Sequence, residues 1–156
     1  MFLSPSFALA QTSFDRFVVF GTSLSDSGNI FATNKELNLP PGYAVDGLLV
    51  PDAPYARGGH HLSNGATWVE QLAKSLGMAR STQPASRSNN PHAMNYATDG
   101  TRASSLVFPD KKLFSQQVDN FLADVNHSAS VDALHVIEVG SNDIRDALGA
   151  LLTGLQ

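Results

Sequence analysis

The run Phe17-Val18-Val19-Phe20, closed by Gly21, constrains this chain more than any other feature. Consecutive apolar residues that are β-branched or aromatic suit a strand covered on both faces, the condition of a strand inside a parallel sheet. Gly21 ends the run, and Ser25, Asp26 and Ser27 behind it can cap a helix N-terminus. A buried strand feeding a loop and then a helix is therefore predicted. The stretch 134–139 repeats the pattern as a second buried-type strand, broken at Gly140, with a helix beginning near Ile144. Two amphipathic helices lie between. The first is predicted over 66–76, with Trp68, Leu72, Ala73 and Leu76 on its core face and Gly77 as its stop. The second is predicted over 113–125, with Phe114, Val118, Phe121, Leu122 and Val125 facing inward. Asn95-Tyr96-Ala97 reads as a short strand that ends in the turn Asp99-Gly100. Strands alternating with helices indicate an α/β fold with a parallel sheet.

Composition narrows what such a fold can be for. The chain has 156 residues, about one domain's worth, and is 42% hydrophobic, enough to build a core. Its net charge is −4, with 10 basic residues spread along it, which argues against nucleic acid as a partner. The absence of cysteine excludes disulfide frameworks and thiolate chemistry. No apolar run approaches the roughly 18 residues of a membrane span. No His/Asp/Glu spacing suggests a metal, so neither metal nor other cofactor is expected. The opening segment 1–10 ends in Ala8-Leu9-Ala10, a small-x-small pattern like a signal-peptidase site, although a basic region ahead of it is missing. It reads equally as a signal remnant, which implies a secreted or extracytoplasmic protein, and as a frayed N-terminus ahead of the first strand. The Pro- and Gly-rich stretch 40–65, which carries His60 and His61, reads as a long surface loop, and the polar stretch 80–91 as another.

Ligands of open α/β sheets bind outside the carboxyl ends of the strands. Three segments fall there: Gly21-Thr22-Ser23-Leu24-Ser25-Asp26-Ser27-Gly28-Asn29, Asn95-Tyr96-Ala97-Thr98-Asp99-Gly100 and Gly140-Ser141-Asn142-Asp143. A serine, a glycine and an asparagine gathered on one rim suit acyl transfer. The hydroxyl attacks, while backbone N–H groups and an amide hold the oxyanion. Taken singly, each has a plain alternative: Ser23 as a helix cap, Gly100 as a turn position, Asn142 as a turn residue.

Taken together and in order, the segments resemble the blocks of the GDSL family of SGNH hydrolases, esterases and lipases with a flavodoxin-like three-layer α/β/α fold. The family's GDSLSDSGN is GTSLSDSGN here, its NYAxGGA is NYATDGT, and its GxND is GSND. Ser63-Asn64-Gly65 with Trp68 also resembles a stretch found between the first two blocks of many members. The resemblance implies Ser23 as nucleophile, with its own N–H, the Gly100 N–H and the Asn142 side-chain amide as oxyanion donors. The implied substrate is a small-molecule or lipid carboxylic ester.

Two departures stand out. Thr22 occupies the place of the aspartate that precedes the family's nucleophile; threonine keeps a hydrogen bond but not the charge, which is expected to weaken the site without abolishing it. The family's general base, a histidine in a C-terminal Asp-x-x-His block, has no counterpart after Asn142. The domain 11–156 is accordingly read as truncated before that block. Asp132-Ala133-Leu134-His135 matches the pattern, but His135 opens the strand that leads to Gly140. It precedes Asn142 by seven residues, roughly 23 Å at strand spacing, and is not taken as the base. Asp26 reads as a helix cap and Asp143 as a loop or helix anchor, Trp68 as a core residue, and His92 and His127 as surface positions. The rival reading, favoured by Thr22 and the missing histidine, is a catalytically impaired binding module or a fragment without function.

Overall fold

The computed structural model describes residues 14–33, 63, 65–87, 90–104 and 112–154. The segment 1–10, His60 and His61, and nearly all of the 40–65 stretch lie outside the described residues. The elements in chain order are β1 (Arg16–Gly21), α1 (Asn29–Thr33), α2 (Trp68–Ser75), a 3-10 turn (Ala85–Arg87), α3 (Phe114–Asp124), β2 (Ala133–Glu138) and α4 (Ser141–Thr153).

β1 and β2 pair in parallel, from Arg16 opposite Ala133 to Gly21 opposite Glu138. Along the other edge of β1 the extended segment 94–98 runs beside it. Val19 N–H donates to the Met94 carbonyl at 2.9 Å, Tyr96 N–H to Val19 at 2.8 Å and Thr98 N–H to Gly21 at 3.1 Å. β1 is thus bonded on both edges, which explains why a continuous apolar run suits it. Its alternate side chains feed opposite layers. Phe17 and Val19 pack with Val69, Ala73 and Ala97 beneath α2. Val18 and Phe20 pack with Met94, Tyr96 and Phe121 beneath α3, where Phe114, Val118, Leu122 and Val125 close the cluster. Helices on both faces of a parallel sheet make the three-layer α/β arrangement that the sequence predicts. Phe17, Val18 and Val19 are wholly buried, each stabilising the fold by about 1.5–3 kcal/mol.

The expected inward face of α3 is the observed one, whereas that of α2 is turned by one residue. Val69 and Ala73 are its buried pair, while Trp68, Leu72 and Leu76 form a neighbouring exposed stripe. A single helical position is about 100°, enough to move Trp68 from core to surface. The start of α2 is fixed by Glu70, whose carboxylate accepts from Thr67 N–H and Oγ1, both at 2.8 Å. Its end is fixed by Gly77 at φ +75°. There Met78 N–H reaches back to Ala73 at 2.7 Å and Gly77 N–H to Lys74 at 3.2 Å, a Schellman turn.

β2 departs from the buried strand expected of it. Its residues alternate between partly buried and exposed, with His135 and Ile137 outward. α3 packs over β1 rather than β2, so among the described residues this side of β2 has little cover. None of the described helices is long and apolar enough to cross a membrane.

Candidate active site

The site grows from the end of β1. Past Gly21 the chain folds through a tight turn, with Ser25 N–H on the Thr22 carbonyl at 3.1 Å and Asp26 N–H on that of Ser23 at 3.4 Å. Ser23 is half-buried on this turn. None of the described residues exchanges a hydrogen bond with its hydroxyl.

Asp26 anchors the far side of the turn. One carboxylate oxygen accepts from Gly28 and Asn29 N–H at 2.7 and 2.6 Å, and the other from Ile30 and Asp99 N–H, each at 3.1 Å. The first three are the cap that the sequence predicts for α1. The fourth ties the Ser23 turn to the segment that bears Gly100. Burial pushes the Asp26 carboxyl up to about 6, against the pull of its backbone donors.

Two asparagines bind the first two motif segments to each other. Asn95 Nδ2 donates to the Ser25 carbonyl and to Ser27 Oγ, both at 2.8 Å. Asn29 Nδ2 donates to the carbonyls of Asn95 and Ala97 at 2.7 Å. These amides lie buried, and each spans the gap between two stretches of backbone that the sheet ladder does not join.

Gly100 follows at φ +77°, a conformation that explains the glycine. None of the described residues accepts from its N–H. Its carbonyl accepts from Arg102 Nη1, and the rest of that guanidinium grips Asp146 of α4, Nε to Oδ2 at 2.7 Å and Nη2 to Oδ1 at 3.0 Å. Asn142 is buried in the first turn of α4. Its Nδ2 donates to the Thr101 carbonyl at 2.9 Å, leaving the second amide hydrogen for another acceptor. Asp143 beside it accepts from Ala103 and Ser104 N–H, so it holds the 103–104 segment rather than its own loop.

Ser23, Gly100 and Asn142 thus stand on three segments that are hydrogen-bonded in sequence around one rim. The links are Ser23 turn to Asp99 through Asp26, and Thr101 to α4 through Asn142. The arrangement offers a hydroxyl, a backbone N–H and an amide N–H on neighbouring segments, the components of acyl transfer.

Two residues that sequence reading passed over hold this rim. Gln117 of α3 accepts from Gly21 N–H and donates to the Gly21 carbonyl and to Thr101 Oγ1, all at 2.8 Å. Glu138, at the end of β2, accepts through Oε2 from Thr22 N–H at 3.1 Å, Thr22 Oγ1 at 2.7 Å and Ser25 Oγ at 3.2 Å. Each carried a signal. Gln117 is a polar residue set within the apolar stripe Phe114, Val118, Phe121, and Glu138 is the one acid in the run 133–139. Trp68, expected in the core, instead lies 43% exposed, and its indole N–H donates to Ser25 Oγ at 3.1 Å.

Among the described histidines none bonds to Ser23. His92 and His127 are exposed. His135 is opposite Val18, three rungs before Gly21, and its ring stacks on Phe20 with centroids 6.4 Å apart. That location agrees with leaving it out of the site. A cavity of about 490 Å³ opens beside α3, lined by Tyr96, Thr98, Lys112 and Gln116 among others, but Ser23, Gly100 and Asn142 are not in its wall. Among the described residues no group of acidic or histidine side chains is arranged to hold a metal ion.

A family model described as GDSL-like Lipase/Acylhydrolase matches residues 17–153 of the chain. No curated protein matches it.

Proposed function

Because the chain belongs to the GDSL-like lipase/acylhydrolase family, a family of hydrolases, we propose that it cleaves carboxylic esters through an acyl-enzyme formed on Ser23. The observation that carries this reading is the union of the three motif segments around the end of β1, with the Ser23 hydroxyl and the Gly100 N–H uncommitted among the described residues. In this mechanism Ser23 Oγ attacks the ester carbonyl carbon as its proton passes to a base. The carbonyl oxygen becomes an oxyanion, held by the N–H groups of Ser23 and Gly100 and by the Asn142 amide. Collapse expels the alcohol, which takes up the proton. Water then attacks the acyl group by the same route and frees the acid and Ser23. The family resemblance implies a histidine of an Asp-x-x-His block as that base, a role for which none of the described histidines is placed.

The Gly100 loop is held by its carbonyls. The Gly100 N–H shares its peptide plane with the Asp99 carbonyl, which accepts from Lys112 Nζ at 3.2 Å, while Arg102 grips the next carbonyl, that of Gly100, and is itself gripped by Asp146, so the chain on both sides of the Gly100 Cα is held. Donors fixed before the reaction need no reorganisation as charge develops, and each is worth about 2.7–4 kcal/mol.

A fluorophosphonate probe tests the nucleophile. The full protein should be labelled at Ser23, and Ser23→Ala should abolish both labelling and p-nitrophenyl ester hydrolysis. Equal labelling of wild type and variant would overturn the assignment. A series of p-nitrophenyl esters from acetyl to long acyl then tells a short-chain esterase from a lipase.

A further inference from the structure

We infer that Glu138 is a positioning residue for the nucleophile, supplying from β2 the carboxylate that Thr22 lacks. This rests on Ser23 being the nucleophile. A single oxygen, Glu138 Oε2, takes the Thr22 N–H, the Thr22 hydroxyl and the Ser25 hydroxyl, so it holds the residues on both sides of Ser23. The Thr22 hydroxyl is used twice, since its oxygen also receives the Leu24 N–H at 3.4 Å. Ser25 Oγ in turn accepts from Trp68, which extends the grip to α2. Backbone and hydroxyl donors that converge on one carboxylate oxygen form charge-assisted bonds, stronger than the neutral bonds a threonine makes alone.

The sheet is shaped to admit this carboxylate. Parallel pairing sets Glu138 opposite Gly21. A Cβ on Gly21 would lie 2.8 Å from the Glu138 carbonyl oxygen and 3.2 Å from its Oε2. Gly21 is therefore required by the approach of Glu138. Glu138 does not bond to Ser23 itself. Its effect on the reaction passes through the geometry of the 22–25 turn, and the charge that a side chain at position 22 would carry comes instead from the neighbouring strand.

Relocating the charge tests this. Glu138→Gln keeps the shape but turns an amide N–H₂ toward donors. It should lower both kcat and the rate of fluorophosphonate labelling by roughly 10–100-fold, with KM little changed, as expected of a misplaced nucleophile. Thr22→Asp alone should also impair labelling, because its carboxylate would meet that of Glu138 where 2.7 Å now separates hydroxyl from carboxylate. The double variant Thr22→Asp/Glu138→Gln should recover most of the wild-type rate. Recovery by a second substitution is not expected of residues that matter only for stability.

Full labelling of Glu138→Gln at a temperature where it is folded would overturn the inference while leaving Ser23 in place. So would a double variant no faster than Glu138→Gln. A wild-type protein inert to the probe, or a Ser23→Ala variant as reactive as wild type, would overturn the nucleophile reading itself.

Discussion

Gln117→Met would test how the rim is built. The substitution keeps the length and approximate volume of a side chain that is 4% exposed, so no large cavity is added to the cost. What is lost is hydrogen bonding to three groups, and their alternatives differ. The Gly21 carbonyl keeps the Thr98 N–H, and the Thr101 hydroxyl keeps its own donation to the Thr98 carbonyl. The Gly21 N–H has no second acceptor among the described residues and is left buried beside a thioether. An orphaned buried donor costs about 1–3 kcal/mol, and each of the other two lost bonds about 0.5–1.5 kcal/mol. The total is about 4 kcal/mol, with a spread of roughly 2 either way. Equilibrium urea unfolding followed by the fluorescence of Trp68, the chain's single tryptophan, measures it directly. At an m-value of about 2 kcal/mol/M the midpoint should fall by about 2 M with the slope unchanged. Ser115→Ala, at an exposed position of the same helix, is the control and should stay within about 0.5 kcal/mol of wild type. A Gln117→Met loss as small as the control's would show that Gln117 does not tie α3 to the end of β1.

Asp26 makes stability depend on pH. Its folded pKa of about 6 lies above its ordinary 3.8, so its contribution to stability is fully present below about 3.8 and is lost as pH rises through about 6, a change of about 3 kcal/mol. Asn at this position cannot titrate. The stability of Asp26→Asn relative to wild type should therefore improve by about 3 kcal/mol between pH 3 and pH 8 in urea titrations, whatever the constant offset from altered hydrogen bonds. A difference that does not vary with pH would refute the burial argument. Gly21→Ala should cost about 1–3 kcal/mol in the same assay by forcing the new methyl against the Glu138 backbone, and should slow labelling of Ser23. A neutral result would mean that the strands can part there without effect.

What the chain reveals before folding is governed by local rules. The β1 run is apolar, branched and aromatic because both faces of that strand are covered. The stripe Phe114, Val118, Phe121, Leu122, Val125 is legible because one helix face meets one side of the sheet. Asp26 is legible as a cap for the same reason, since three of its four donors lie within four residues of it. Its fourth, Asp99, is 73 positions away, and no spacing rule reaches it. The face of α2 shows where periodicity stops being decisive. Trp68, Leu72 and Leu76 make as good a stripe as Val69 and Ala73, and only the position of Phe17 and Val19 beneath the helix selects between them.

The sequence by itself indicated the order of elements, the stop of α2 at Gly77 and, through the family resemblance, the motif residues Ser23, Gly100 and Asn142, because capping, periodicity and motif blocks act within a few residues; α4 starts at Ser141, three residues before the expected Ile144. Tertiary structure decided which side chains hold those residues in place. Parallel pairing brings Glu138 to the Thr22 turn across a separation of 116 positions, and α3 brings Gln117 to Gly21 across 96. Hydrogen bonds of that kind depend on register and packing, which exist only once the sheet and its covering helices have assembled.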